Sequence, residues 1–499
     1  MLATIQSAAL NGLEAVPVSI EVSITNGLPA FHIVGLPDPA VREARQRVVS
    51  ALRESGFQFP LRRVTANLAP AALRKEGAAF DLPIALAVLA ATGQLPENRA
   101  ARWLVAGELA LDGALRRVRG ALAYAECAAR LSSETLIMPE ACAGEAALAQ
   151  RVPVLGARSL GEVCGWLRGQ PLPAPAMATP LKNGTHAEQE AIALDDIAGQ
   201  ERAKRALEAA AAGGHNVVFA GPPGAGKTLL ARALPGLLPP LDREEAYELA
   251  RIHSIAGVGT VCARPFRAPH SSISRVALLG GGPSVRPGEI TLAHKGVLFL
   301  DELPEFRRDA LDALRQPMED GAVTIARASG AHRFPAEFQL VGAMNLCPCG
   351  NTGRPRAACR CSRAEKRRYV ARLTAPLLDR VDIHLGVESV RKKDLARLKR
   401  GFGFEQQGAV ERVARARKAQ TERGVRCNAR LKVTDLERMA PLPSSARRHL
   451  LHAVEALALS ARGYHRAWRL GRTLADLDGT SDVALEHIHE ALAFRLHER

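Results

Sequence analysis

At 499 residues the chain has room for about three structural units, and its 47% hydrophobic and 24% charged residues exclude a disordered chain, a collagen or a coiled-coil rod. No run approaches the ~18 apolar residues of a membrane span, the N-terminus reaches Glu14 without the basic region of a secretory signal, and nine cysteines form no disulfide framework, so a reducing cytoplasm is expected. The 67 Lys and Arg against 51 Asp and Glu leave +16, which suits a polyanionic partner, nucleic acid first, or reflects a GC-rich genome, whose proteins are rich in Arg and Ala.

In chain order, Val18, Ile20, Val22 and Ile24 alternate as a strand does, and Asn26-Gly27 marks the turn after it. Helices are expected over 37–55, with Asp38-Pro39 at the start, over 80–92 and over 119–130, with a strand at 104–111. The stretch 171–190 has four prolines in its first ten residues and reads as a linker. A helix over 199–212 follows, then apolar strands at 215–220, 296–300 and 338–344, and from about 431 a helical pattern to the end. Strands alternating with helices predict an α/β protein.

Gly221, Pro222, Pro223, Gly224, Ala225, Gly226, Lys227 and Thr228 match G-x-x-x-x-G-K-[ST] between a strand and a helix. Its glycines let successive backbone N–H groups turn toward a β-phosphate, and the helix start adds its positive end. Lys227 would reach the β- and γ-phosphates of ATP and Thr228 would supply a hydroxyl to Mg²⁺. Val297–Leu300 then delivers two carboxylates, Asp301 to hold Mg²⁺ and Glu302 to polarise the attacking water, a pair that points to hydrolysis. Asn345, ending the next strand, stands where the first sensor of AAA+ ATPases bridges water and γ-phosphate. Cys347, Cys349, Cys359 and Cys361 fall within fifteen residues. Four such thiolates suit tetrahedral Zn²⁺; the alternative is four reduced cysteines in a metal-free loop. Residues 354–372 hold eight Arg and Lys against one Glu, a clamp for a DNA backbone. The cysteines at 127, 142, 164, 262 and 427 are scattered and read as fillers.

The runs RPFRAPHSSIS (264–274), LLGGGPSVRPGEITLAHKGVLFLDELPEF (278–306), LRQPMEDGAVTIARA (314–328), AMNLCPCG (343–350) and APLLDRVDIHL (375–385) resemble the ComM/YifB family of magnesium-chelatase-like AAA+ ATPases. Ser271 and Leu346 depart from its pattern, neither at a phosphate-handling position. The resemblance implies an N-terminal Lon-protease-like (ribosomal S5 domain 2-like) domain at 1–170, an AAA+ core at 191–390 carrying the cysteine insert, and a helical lid at 391–499. It implies ATP bound between subunits of a ring, expected to be a hexamer, with Arg380 as the arginine finger for the neighbour and Arg462, first of Arg462, Arg466 and Arg469 on one helix face, as the second sensor. A plainer reading pairs Arg380 with Asp379 or Asp382. Arg267 falls in a helix-2 insertion, and 321–338 reads as a pore hairpin turning at Ser329-Gly330, with Arg327 before the turn and Arg333 across from it, both DNA-facing unless the hairpin serves partner contacts. Lys75–Asp81 and Leu122 stand where Lon proteases carry their Ser–Lys dyad, so no proteolysis is expected; Arg42, Arg45, Arg62, Arg63 and Arg74 are either a DNA surface or solvated faces. The function implied is a hexameric DNA motor, a branch-migration helicase acting on single-stranded or branched DNA in recombination of incoming DNA. The alternative is a chelatase-like or chaperone-like ATPase that remodels a protein complex.

Overall fold

The computed structural model describes residues 2–96, 102–180, 192–259, 263–282, 285–327, 330–354, 358–396 and 404–495. Cys262, Ser329 and the second half of the expected linker lie outside them.

The first 157 residues build a seven-stranded mixed sheet in the order Ala30–Val34, Arg63–Ala69, Glu14–Thr25, Leu2–Asn11, Trp103–Val105, Thr135–Pro139, Val154–Ala157. The alternating segment 18–24 lies in Glu14–Thr25, paired antiparallel along its length with Leu2–Asn11. Of that first strand's buried residues four are small, Ala3, Ser7, Ala8 and Ala9, and Ile5 alone is β-branched, so alternation does not announce it. Asp38 caps Pro39–Glu54 through Val41 N at 2.8 Å, and Val41, Ala44, Val48, Ala51 and Leu52 bury one face of that helix. Asp81–Ala91 is apolar nearly all round and sits in the core. The single strand expected over 104–111 is two pieces. Trp103–Val105 belongs to the sheet, and Glu108–Leu109 turns away to pair with Leu115–Arg116. Gly107 causes the break: its N–H donates to Ala79 O at 2.8 Å and its carbonyl accepts from Leu82 N at 3.0 Å.

The second sheet is five-stranded and wholly parallel, in the order Phe266–Arg267, Val297–Leu300, Gln339–Met344, Val217–Ala220, Ile383–Gly386. Both faces are covered, which is why its strands read as continuous apolar runs. Three strands meet side by side with their C-terminal ends at one edge, where open α/β sheets bind ligands. The helical region begins earlier than 431, at Phe404–Glu422, whose Ala409, Val413 and Ala416 join the core shared with Glu201–Gly213. Ala461–Leu477 packs beside both.

The two sheets are joined by a buried seam. Helix Arg243–Ala256 places Ala250 and Ile255 against Ala121–Arg130. Ser254 O accepts from Gly120 N at 2.9 Å, and Glu126 receives Tyr247 Oη at 2.9 Å and Arg251 at 3.0 Å. No helix among the described residues is long and apolar enough to cross a membrane.

Candidate functional site

The phosphate loop leaves the C-terminal end of Val217–Ala220, flanked by the strands that end at Asp301 and Asn345. Gly224 and Gly226 hold φ of +78° and +90°, and a Cβ on Gly221 would stand 2.2 Å from the Val387 carbonyl, so three glycines are demanded by shape. Lys227 is buried, with Nζ donating to Gly221 O at 2.7 Å, Pro222 O at 3.0 Å and Asn345 Oδ1 at 3.1 Å. Burial pushes its ammonium below the ordinary value, against the pull of Asp301 and Glu302.

Thr228 Oγ1 donates to Asp301 Oδ2 at 3.1 Å. Neighbouring oxygens around octahedral Mg²⁺, at 2.0–2.1 Å from the ion, stand about 2.9 Å apart, so this hydroxyl–carboxylate pair fits that ion. Glu302 is exposed and adopts φ 51°, ψ 46°, a left-handed conformation uncommon outside glycine and frequent at functional sites. Its N–H donates to Asp301 Oδ1 at 2.9 Å, which ties the Asp301 carboxylate to the backbone of the next residue. A cavity of about 1530 Å³ opens beside Pro222, lined also by Ala198, Gln200, His384 and Val390. Gln200, which no sequence motif marks, spans it: its amide donates to Glu388 O at 2.7 Å and Ala225 O at 3.3 Å.

Arg380 does not pair with Asp379 or Asp382. It is buried, donating to Pro376 O at 2.6 Å and pairing with Glu319 at 2.7 Å. Arg462, exposed on Ala461–Leu477, reaches the same Glu319 oxygen at 3.2 Å. Glu319 thus gathers both arginines on one face. Of its neighbours on the helix, Arg466 pairs with Asp382 at 2.6 Å, and burial pushes the guanidinium of Arg469 below its ordinary value. Burial works against charge on Asp382, yet Arg466 and His215 hold its carboxyl well below the usual carboxylate range. Glu319 lies within the 314–328 run, but only its position between two distant arginines marks it.

The expected hairpin is formed by Ala322–Arg327 and Gly330–Pro335. Arg327 faces Gly330, and Arg333 faces Thr324; the two cations are therefore three residue pairs apart rather than directly opposed. Both are exposed, and Arg327 Nη2 donates to Gly282 O at 3.1 Å. The hairpin leans on the strand pair Gly280–Gly281 and Arg286–Pro287, with Ile325 against Gly280. Arg267 lies on an edge strand of the parallel sheet, clamped by both oxygens of Glu289 at 2.7 Å, so its guanidinium is already engaged.

The four candidate thiols come together: their sulfurs all lie within 4.8 Å of one another. Cys347–Cys349, Cys349–Cys359 and Cys359–Cys347 are 3.5, 3.7 and 3.6 Å apart. A tetrahedral zinc–thiolate site, with Zn–S about 2.3 Å, has S–S edges of about 3.8 Å, so the donor set fits. In the first sheet, Leu122 is fully buried and Lys75 Nζ donates to the Pro70 carbonyl, so neither supplies a nucleophile or base at a surface.

Three family models match the chain: "Magnesium chelatase, subunit ChlI" over residues 193–395, "Subunit ChlI of Mg-chelatase" over 20–142, and "Magnesium chelatase, subunit ChlI C-terminal" over 405–495. Competence protein ComM of Haemophilus influenzae is 44% identical over 501 residues, covering 99% of this chain and 97% of that one. Uncharacterized protein YifB of Salmonella typhimurium is 41% identical over 502 residues, covering 100% and 98%. The magnesium-chelatase 67 kDa subunit of Chlorobaculum parvum is 32% identical over 157 residues, 30% of this chain and 23% of its own. With relatives of that identity along its whole length, and a parallel-sheet core followed by a helical C-terminal region, the chain belongs to the ComM/YifB family of magnesium-chelatase-like AAA+ proteins.

Proposed function

We propose that this protein is an ATP-hydrolysing, ring-forming DNA motor of the cytoplasm, a branch-migration helicase serving recombination of incoming DNA. The observation that carries the reading is the continuity of one segment: Glu319, which holds Arg380 and Arg462, lies three residues before the hairpin strand that ends in Arg327. Nucleotide-sensing arginines and a cationic hairpin are thereby parts of one lever. The name of the Haemophilus relative adds competence, and the +16 charge adds affinity for a polyanion.

In this reading Lys227 and the P-loop amides bind the ATP phosphates, the base enters the neighbouring cavity, and Thr228 and Asp301 hold Mg²⁺, which neutralises charge on the phosphates. Glu302 takes the proton of the attacking water and Asn345 orients that water. Arg380 and Arg462 act on the next subunit's γ-phosphate. The chain divides into a non-proteolytic Lon-like domain (1–170), a linker (171–190), the motor core (191–390) and the lid (391–499). The test is ATP hydrolysis by the purified full chain with no DNA, with duplex and with branched DNA. Stimulation greatest with branched DNA supports the motor, and its absence favours a chelatase-like remodeller of proteins.

Two further results are expected. Glu319→Gln weakens the charged contact, worth ~1.5–3 kcal/mol, that holds Arg380 and Arg462 at rest and links them to the hairpin, so stimulation of ATP hydrolysis by DNA should be largely lost while nucleotide affinity holds; parent-like stimulation in steady-state assays means that the hairpin does not answer to these arginines. The cysteine cluster is read as a zinc site, so metal analysis of chelator-free protein should give about one Zn²⁺ per chain, from its four thiolates. Cys347→Ser/Cys349→Ser should abolish it, and stoichiometric zinc surviving that double change would place the metal elsewhere.

A further inference from the structure

The four-cysteine knuckle is fastened to the phosphate site from two sides. Cys347, fully buried, follows Asn345 by two residues, and Asn345 Oδ1 holds Lys227 Nζ at 3.1 Å. On the other side, two glycines of the knuckle lie flush with the P-loop. A Cβ on Gly350 would stand 2.9 Å from the ring of Pro223, and one on Gly353 3.6 Å from the ring of Pro222. The helix Arg363–Val370 that follows is tied in as well, because the buried Tyr369 phenol lies against the backbone of Asn345.

Little else gives the knuckle its shape. Between Cys347 and Cys361 the described residues contain no helix or strand. Their internal bonds are two turn contacts, Gly350 N to Cys347 O at 3.1 Å and Arg354 N to Asn351 O at 3.2 Å, and Thr352 N to Cys347 Sγ at 3.4 Å. Loops of this kind take their conformation from the ion they bind, because binding and folding are one equilibrium. The four sulfurs nevertheless lie within 4.8 Å of one another, those of Cys347, Cys349 and Cys359 at 3.5–3.7 Å, and the knuckle's glycines meet the P-loop prolines without a gap.

We propose that the knuckle is a metal-dependent brace of the P-loop: a soft divalent cation, Zn²⁺ first, held by Cys347, Cys349, Cys359 and Cys361, sets the affinity of the phosphate site for nucleotide. The proposal rests on the reading that the cluster holds a metal. Metal loss lets Gly350 and Gly353 withdraw from Pro223 and Pro222 and releases Asn345 from Lys227. Nucleotide binding then answers to thiophilic-metal supply, separately from the Mg²⁺ that accompanies ATP.

The test uses the full chain with Mg²⁺ in excess. Metal content is measured together with the Kd for methylanthraniloyl-ATP before and after stripping with the zinc-selective chelator TPEN, and again after Zn²⁺ is restored, with circular dichroism reporting the fold. Stripping should weaken nucleotide binding about tenfold, the scale of one missing hydrogen bond, and Zn²⁺ should restore it. Gly350→Ala tests the brace with the metal in place: it should keep zinc and still bind nucleotide several-fold more weakly, because its Cβ displaces Pro223, and this variant decides the matter if stripping unfolds the chain. A protein that carries no zinc and takes up none overturns the metal reading and the brace with it. Bound zinc whose removal leaves Kd unchanged, or a zinc-loaded Gly350→Ala that binds like the parent, overturns the brace alone.

Discussion

Glu302→Gln should leave ATP binding intact and lower hydrolysis by ~10²–10⁴, the contribution of a positioned general base. Lys227→Ala should instead abolish binding, because Lys227 is the one cation among the described residues bonded within the loop itself. The different outcomes follow from geometry. Glu302 is exposed, held in a left-handed backbone conformation, and bonded to no phosphate-loop atom among the described residues. It can therefore act on a water without contributing to nucleotide affinity. Lys227 is buried against the carbonyls of Gly221 and Pro222, which ATP oxygens would replace as its partners. Isothermal titration together with phosphate release separates the two variants. A Glu302→Gln protein hydrolysing ATP at the parent rate would place the base elsewhere, and the strain at Glu302 would then need another purpose.

The candidate phosphate site is legible in the sequence because its motifs are local. The P-loop, the Asp301–Glu302 pair and Asn345 each end a strand, and three parallel strands with apolar runs must bring those ends to one edge. The four cysteines are legible for the same reason, being close in sequence. What spacing alone does not give is pairing across the chain. Glu319, Arg380 and Arg462 are separated by 61 and 82 residues, and nothing in their flanks says that one carboxylate serves both cations. Arg267 shows the converse: on a basic stretch it reads as free for DNA, and folding gives it Glu289. In the first sheet, Leu2–Asn11 is hidden because alanine fits the inside of a strand as well as that of a helix, and the break at Gly107 is hidden because two tertiary hydrogen bonds impose it.

Arg327→Ala should leave basal ATP hydrolysis nearly intact and remove DNA stimulation and unwinding. Arg327 sits at the exposed end of its strand and donates to the Gly282 carbonyl, so no phosphate-binding residue depends on it. The strand begins at Ala322, three residues beyond Glu319. In the proposed motor Arg380 and Arg462 would leave Glu319 for a neighbour's γ-phosphate, the short helix Arg315–Asp320 would lose two cationic anchors, and the hairpin behind it would be free to shift. One arginine per subunit of the proposed ring, moving in turn, would then pass a phosphate backbone along it. Deleting that cation should flatten the salt dependence of DNA binding by about one unit of slope for each phosphate no longer neutralised. Arg380→Ala should do the reverse, lowering hydrolysis by ~10³-fold or more, as removal of an arginine finger does, while DNA binding persists. Helicase assays on a synthetic four-way junction, with hydrolysis measured in parallel, distinguish the two. If Arg327→Ala unwinds the junction as fast as the parent, the hairpin does not grip DNA; if the parent's hydrolysis ignores DNA altogether, the same lever moves a protein partner instead.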